Sequence, residues 1–486
     1  MKNTRQKLAG LAACLLPIAL FLALNSAHTV RSSAPVKAPA ELLPPPKDAK
    51  KEGKDPFGFA GSMSCTGRGC HGAITPNVKG IGQNEFTTWV RHDPHARAYH
   101  ILTEPRAKQM AENLAVLNGG KKINAHEDPK CLVCHSTPEY ATGTTPELRA
   151  LQSHGISCET CHGAAEKKGA GWLEAHTTKQ WRDRSPAGKE KAGMKVLSDT
   201  RGLAQACIGC HVGSPTQDLN HDLMAAGHPR LVFELGTYYA NLPKHWREDK
   251  YKADPTYEAK LWAMGRVESA RASLELLAVR AKDESKPWPE FAESDCFSCH
   301  ANLRPESNDW RRRPGYRDPK VRAPGALPYN EWFSTGLPEL AKSVGDSDVL
   351  RRKDFTELGR LMSKPYPVRK EVIAQADLTL NNLTALSEKI GTLDPLKVRA
   401  ALLAVDDAKL AALSWDEATQ LVYSLAALHA ASGKSDSGVT EKFAELYKAL
   451  AYPEGFESPA DFRREGAKKE TDKLTTELIE LVKLFK

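Results

Sequence analysis

The chain has few aromatic residues, few methionines and few stretches that alternate apolar with polar side chains. Phe, Trp and Tyr supply 7% of 486 residues, thin filling for the core a chain of this length must bury. Seven methionines, one of them the first residue, leave thioether side chains a minor source of ligands, Met224 being the nearest candidate. The rarity of period-two alternation argues against sheet and for a mainly α chain. No Ser/His/Asp arrangement, phosphate loop or nucleic-acid module is recognisable.

Cysteine is present in an unusual pattern. The stretch SCTGRGCHGA, residues 64–73, carries two cysteines and a histidine at a spacing that fits no familiar signature. Setting Cys14 aside, all ten remaining cysteines fall into close pairs, and each pair is followed at once by histidine. Four pairs have the strict form Cys-x-x-Cys-His: Cys131/Cys134/His135, Cys158/Cys161/His162, Cys207/Cys210/His211 and Cys296/Cys299/His300. Chance would give roughly 0.01 such motifs.

That spacing suits covalent haem c. Two thioethers tie the cysteines to the porphyrin, and the adjacent histidine ligates iron. Zinc knuckles do not need a histidine after every pair, and thioredoxin-like centres occur once, beside a βαβ pattern absent here. Disulfides would leave the five histidines unexplained. The pair Cys65/Cys70, followed by His71, is then most simply a fifth site. Its extra residues are expected to bulge outward through positive φ at Gly67 and Gly69, a Cys65–Cys70 disulfide being the alternative. Five covalently bound haems are expected. Their propionates would outnumber the formal charge of +8, so basicity gives no evidence for nucleic acid.

Distal ligands must come from the remaining histidines. His28 and His429 lie outside the haem region, which leaves His92, His95, His100, His126, His154, His176, His221, His228 and His245 for five irons. Bis-histidine ligation is favoured, with reduction potentials below those of Met/His ligation.

These motifs resemble the cytochrome c-554-like family, the four-haem acceptors of electrons from hydroxylamine oxidoreductase and their multihaem relatives. The resemblance covers about residues 60–235. It is carried by Trp89 and His95-Ala96-Arg97-Ala98 after the first motif, by Asp128-Pro129-Lys130-Cys131, and by the run Gly155 to Gly163 around the third motif. It implies closely stacked haems, distal ligation by His95, His176 and His228 with His221 a weaker candidate, and one iron left five-coordinate at the second motif. The stretched first motif, the added motif at Cys296 and the haem-free C-terminal segment depart from the family pattern.

Residues 1–27 read as a signal peptide or a retained membrane anchor. Lys2, Arg5 and Lys7 precede an apolar run, Leu8 to Leu24, interrupted by Pro17. Asn25 is a poor residue for cleavage near Ala27, and the apolar stretch before Cys14 is too short for a lipoprotein signal. Residues 28–58, rich in proline and lysine, read as a tether. Residues 59–334 then form a pentahaem domain, with an amphipathic helix near 257–280 before the last motif. Residues 335–486 read as a haem-free helical bundle, with helices near 370–391, 395–411, 415–431, 439–450 and 470–485 and a capping box at Ser414 and Glu417. His429 reads as a packing or surface residue.

The function expected is electron transfer between redox partner proteins outside the cytoplasm, by a chain either soluble or tethered through its N-terminus. The alternative is a multihaem oxidoreductase acting on a small nitrogen or sulfur compound, such as hydroxylamine or nitrite, at one open iron.

Overall fold

The computed structural model describes residues 58–77, 82–166, 171–246, 254–296, 327–345, 352–411, 413–432, 437–451 and 467–485. The expected signal or anchor, nearly all of the tether, Cys299 and His300 lie outside them. Among the described residues the protein is mainly α, and β pairing is limited to two isolated bridges, Ser214 with Gln217 and Ser294 with Tyr329. None of the described helices is long and apolar enough to cross a membrane.

The chain divides into two compact units. Residues 34–228 with 242–253 form the first, and 229–241 with 254–486 belong to the second. The motifs from Cys65 to His211 lie in the first unit and Cys296 in the second, so residue 335 falls inside the second unit.

The first unit is a set of short helices in long loops: α1 (Glu85–His92), α2 (Pro105–Leu117), α3 (Pro129–His135), α4 (Pro146–Gln152), α5 (Cys158–His162), α6 (Thr200–His211) and α7 (His221–Ala225). Proline opens α2, α3 and α4, where its missing N–H is no loss. Apolar packing is local, as in the cluster of Leu102, Ala107, Ala111, Leu132 and Ala141. A buried carboxylate ties two distant segments together: Glu159, inside the third motif, accepts from the backbone N–H groups of Ala60, Gly61 and Ala165 at 2.7–2.9 Å.

In the second unit α8 (Leu235–Asn241), α10 (Leu337–Ser343), α12 (Arg369–Lys389) and α14 (Trp415–Ala431) pack on α9 (Tyr257–Lys282). α11 (Arg352–Met362), α13 (Pro395–Leu403), α15 (Ser437–Leu450) and α16 (Ala467–Phe485) accompany them, and the single helix expected near 395–411 is instead two, α13 and a short helix Asp407–Ala411. The expected amphipathic helix is instead buried on every side from Leu261 to Ala270, Arg266 and Glu268 included, and leaves exposed only Glu258, Glu275 and Lys282. Small residues explain the difference: Ala259, Ala263, Gly265, Ala270 and Ala278 let neighbours close on faces the large apolar residues do not mark. A Cβ at Gly265 would stand 2.5 Å from Leu235. The capping box at Ser414 and Glu417 forms with both hydrogen bonds. His429 packs against Phe443 and Phe485, at 6.1 and 5.6 Å between ring centres.

Candidate functional site

On a helix, positions i, i+3 and i+4 share one face, so Cys-x-x-Cys-His presents both sulfurs and the imidazole together. α3 and α5 carry the second and third motifs, and the last turn of α6 carries the fourth. Asp128 caps α3 by accepting from Lys130 N at 2.8 Å, and Asp199 caps α6 by accepting from Gly202 N at 2.8 Å. The third motif is fitted closely. Gly155 has φ +68°, and a Cβ there would come within 2.6 Å of the His95 carbonyl.

The stretched first motif closes by a different device. Cys65 ends a 3-10 turn, Ser62–Cys65. The chain then turns back, with Cys70 N donating to Gly67 O at 2.8 Å and Gly72 N to the same oxygen at 3.1 Å. Neither Gly67 nor Gly69 takes the positive φ expected of it. The residue the turn demands is Gly72, whose absent Cβ would overlap the Thr66 carbonyl. No disulfide joins Cys65 and Cys70; all nine described cysteines of the motifs are free thiols.

Each motif histidine of the first unit faces a second imidazole. His71 faces His176 at 6.2 Å between ring centres, His135 faces His228 at 6.4 Å, His162 faces His245 at 6.3 Å, and His211 faces His95 at 6.0 Å. The gap has a chemical meaning. A metal–imidazole bond of roughly 2 Å, with about 1.2 Å more from nitrogen to ring centre, places two rings on one ion about 6.3 Å apart. The rings thus stand at the separation that one metal held between them requires, and the sulfurs mark the thioether positions beside it. The chain fits haem c here.

Hydrogen bonds at Nδ1 orient these rings. His71 Nδ1 meets Glu85 at 3.0 Å, His95 Nδ1 meets Asp93 at 2.8 Å and His135 Nδ1 meets the Ala98 carbonyl at 3.0 Å. His176 and His245 turn Nδ1 to the carbonyls of Leu173 and Pro243. Donation at Nδ1 leaves the Nε2 lone pair free, the arrangement usual for a ligating histidine. Burial pulls His162 and His211 down to about 4 and lowers His135, which favours neutral imidazole. The hydrogen bond that His71 donates to Glu85 raises His71.

The motifs also adjoin one another in a fixed order. The thiols of Cys65 and Cys158 are neighbours, and their interaction lowers Cys65 and raises Cys158. Cys134 and Cys210 are neighbours in the same way, and Gln217 Nε2 donates to both the Cys210 sulfur and the Val133 carbonyl at 3.0 Å. Cys161 feels both Cys207 and Cys210. The sequence of neighbours is therefore first, third, fourth, second. Among the described residues no group of three or more His, Cys, Asp and Glu side chains converges as a metal cage would.

His95, His176 and His228, expected from the sequence as distal ligands, each lie opposite a motif histidine. His228 faces His135, the motif histidine at which the family resemblance implies an open iron. His221 opens α7 and His126 lies edge-on to Tyr99 at 6.5 Å. Cys296 begins the fifth motif in the second unit. The residue that sequence reading did not single out is His245. Its segment rejoins the first unit after α8 has left it, a crossing no local pattern announces. A tryptophan packs on the ring, Trp246 at 5.1 Å, as Trp172 does on His176 at 5.3 Å.

Residues 66–163 match the family model described as cytochrome c554 and c-prime. No curated protein and no solved structure gives a match. That segment contains the second and third motifs complete, together with Cys70, His71 and His95. Over residues 66–163 the chain is therefore similar to the cytochrome c554 and c-prime family, a likeness that supports reading the motifs of this segment as haem c sites.

Proposed function

We propose that this protein is an extracytoplasmic pentahaem electron relay whose first unit holds four bis-histidine haems. The observation that carries the reading is the set of four facing imidazole pairs at 6.0–6.4 Å. Cys65/Cys70 with His71 and His176, Cys131/Cys134 with His135 and His228, Cys158/Cys161 with His162 and His245, and Cys207/Cys210 with His211 and His95 are the residues that would hold them. Haem c supplies a reversible one-electron couple. The protein's part would be to offer two imidazoles to each iron, so that small molecules are excluded, and to keep the sites adjacent. The order of neighbouring cysteines sets the route: first, third, fourth, second motif. Redox proteins would dock at its ends, and the N-terminal segment would direct export or tether the chain to a membrane.

Cys296, Cys299 and His300 would attach the fifth haem. Besides His300, residues 229–241 and 254–486 contain one histidine, His429, and its ring is packed against Phe443 and Phe485. If one iron binds substrate, as the alternative reading of a nitrogen- or sulfur-compound oxidoreductase requires, it is this one. Pyridine haemochrome with intact mass gives the haem count, and electron paramagnetic resonance of the oxidised protein gives the ligation. Five haems with at least four low-spin centres are expected. Fewer than four low-spin centres in the intact protein would overturn the relay.

A further inference from the structure

In the strict motifs one short helix brings two sulfurs and an imidazole onto one face. The first motif cannot use that device, because positions i and i+5 lie about 140° apart around a helix axis. Cys65 ends a 3-10 turn, Cys70 and His71 follow in a second turn, and α1 begins only at Glu85. Hydrogen bonds from residues 83–86 do the holding instead. Gln83 Nε2 donates to the Gly69 carbonyl at 2.7 Å, just before Cys70, and the Gln83 carbonyl accepts from Ala73 N at 2.7 Å, just beyond His71 and Gly72. Gln83 N donates to Glu85 Oε1 at 3.1 Å. The other oxygen of that carboxylate lies 3.0 Å from His71 Nδ1, and Phe86 N donates to the His71 carbonyl at 3.0 Å.

Gln83 is held at φ +61°, and among the described residues no other residue but glycine takes a positive φ. A side chain makes that backbone less favourable, whereas glycine would occupy it freely. What the amide does explains why a glutamine stands there. The Gly69 carbonyl can only accept, so the amide nitrogen must face it, and Asn77 Nδ2 fixes the other end by donating to Gln83 Oε1 at 3.0 Å. One strained residue thus braces Cys70 and His71 from both sides, by its side chain before them and by its backbone after them.

We propose that Gln83 is the positioning residue of the first site, standing in for the helix that the longer spacing forbids. Its amide keeps the Cys70–His71 segment in place, and its backbone N–H keeps the Glu85 carboxylate on His71, so that this ring stays within 13° of parallel to that of His176. The inference rests on reading Cys65, Cys70, His71 and His176 as a haem site. A ring whose Nδ1 partner is fixed keeps both its plane and its strength as a donor at Nε2. Gln83 touches neither the sulfurs nor the imidazole by any of these bonds; it acts through Gly69 and Glu85.

Full-length variants separate the reading from the inference. C65A/C70A should lower the haem count by one, and H176A should remove one low-spin signal and move one couple, which identifies both as those of the first site. Q83G relieves the backbone and deletes both side-chain hydrogen bonds. A residue that served only the turn would be improved by glycine. Q83G should instead keep five haems, broaden the first-site resonance as the angle between its rings is no longer fixed, and move that couple to a more positive potential as Glu85 slackens its hold on His71. Q83M, which keeps the strain and cannot donate, should do the same at a lower Tm; should it fail to fold, Q83G carries the test alone. A Q83G protein with four haems, the missing one being that of Cys65 and Cys70 by peptide mass, would support the same assignment, because glycine does not strain the turn. An unmoved first-site signal and couple in Q83G, or a change confined to the other centres, would overturn the role of Gln83. Five haems in C65A/C70A, or an unaltered spectrum in H176A, would instead sink the haem reading of the first site, and the inference with it.

Discussion

Asp93 Oδ1 lies 2.8 Å from His95 Nδ1 and also accepts the His95 backbone N–H at 2.9 Å, so one carboxylate oxygen fixes both the turn and the ring. Glu85 holds the ring of His71 at 3.0 Å. A carboxylate at Nδ1 makes the imidazole a stronger donor at Nε2 and favours ferric iron. D93N and E85Q should therefore each move one couple to a more positive potential, on the order of 30–60 mV when a tenfold change in a one-electron equilibrium is 59 mV. Spectroelectrochemical titration checks this. A negative shift in either variant would show that the carboxylate does not act through the ring.

His245 tests the ligand set most directly, because no motif logic selected it. Its ring faces His162 at 6.3 Å. H245A should convert about one equivalent of low-spin iron to high-spin, with five haems still attached. H126A, whose ring meets Tyr99 rather than a motif histidine, should leave the low-spin count unchanged. Retention of every low-spin signal in H245A would remove it as a ligand.

The contrast between His95 and His245 shows how far sequence reaches. The cysteine motifs are legible because thioether attachment and the proximal ligand are covalently local, a matter of i, i+3 and i+4 on one short helix. His95 was found because Asp93-Pro94 caps a turn that presents it and because the family pattern includes it. His245 depends on the chain leaving the first unit for α8 and coming back, a tertiary event without a local signal. In the same way the C-terminal helices announced themselves through caps and spacing. The all-round burial of the 261–270 stretch of α9 did not, since small residues such as Gly265 and Ala263 carry no hydrophobic period of their own.

Gly72 decides whether the stretched first motif can close. A Cβ at this position would overlap the Thr66 carbonyl, whereas one at Gly69 would meet nothing within 4 Å. G72A should keep Cys70 and His71 from folding back beside Cys65, and intact mass should fall from five haems to four. G69A should retain five. Full haem attachment in G72A would show that the turn has room the geometry denies it.

Within the second unit, Arg280 at the C-terminal end of α9 pairs with Glu293 at 2.6 Å, both side chains buried. Removing one partner strands the other. E293A should destabilise by about 3–5 kcal/mol, read as a lower midpoint in urea, while an apolar double replacement, R280M/E293M, should recover most of the loss. If the double variant is as unstable as E293A, the pair contributes more than mutual neutralisation.

The four facing pairs differ in the angle between their rings, and this angle has a spectral consequence. His71 and His176 are nearly parallel at 13°, whereas His95 with His211 crosses at 85°, His135 with His228 at 78° and His162 with His245 at 74°. Axial imidazoles donate π density perpendicular to their own planes. Parallel rings therefore split the two iron orbitals they address, and crossed rings leave them nearly degenerate. Electron paramagnetic resonance of the oxidised protein should show these four low-spin centres as two classes, one rhombic signal and three strongly anisotropic ones. The rhombic signal should be the one lost in H176A, and the other three should persist. Four signals of a single class, or loss of an anisotropic signal in H176A, would mean that the rings do not hold these orientations around the metal.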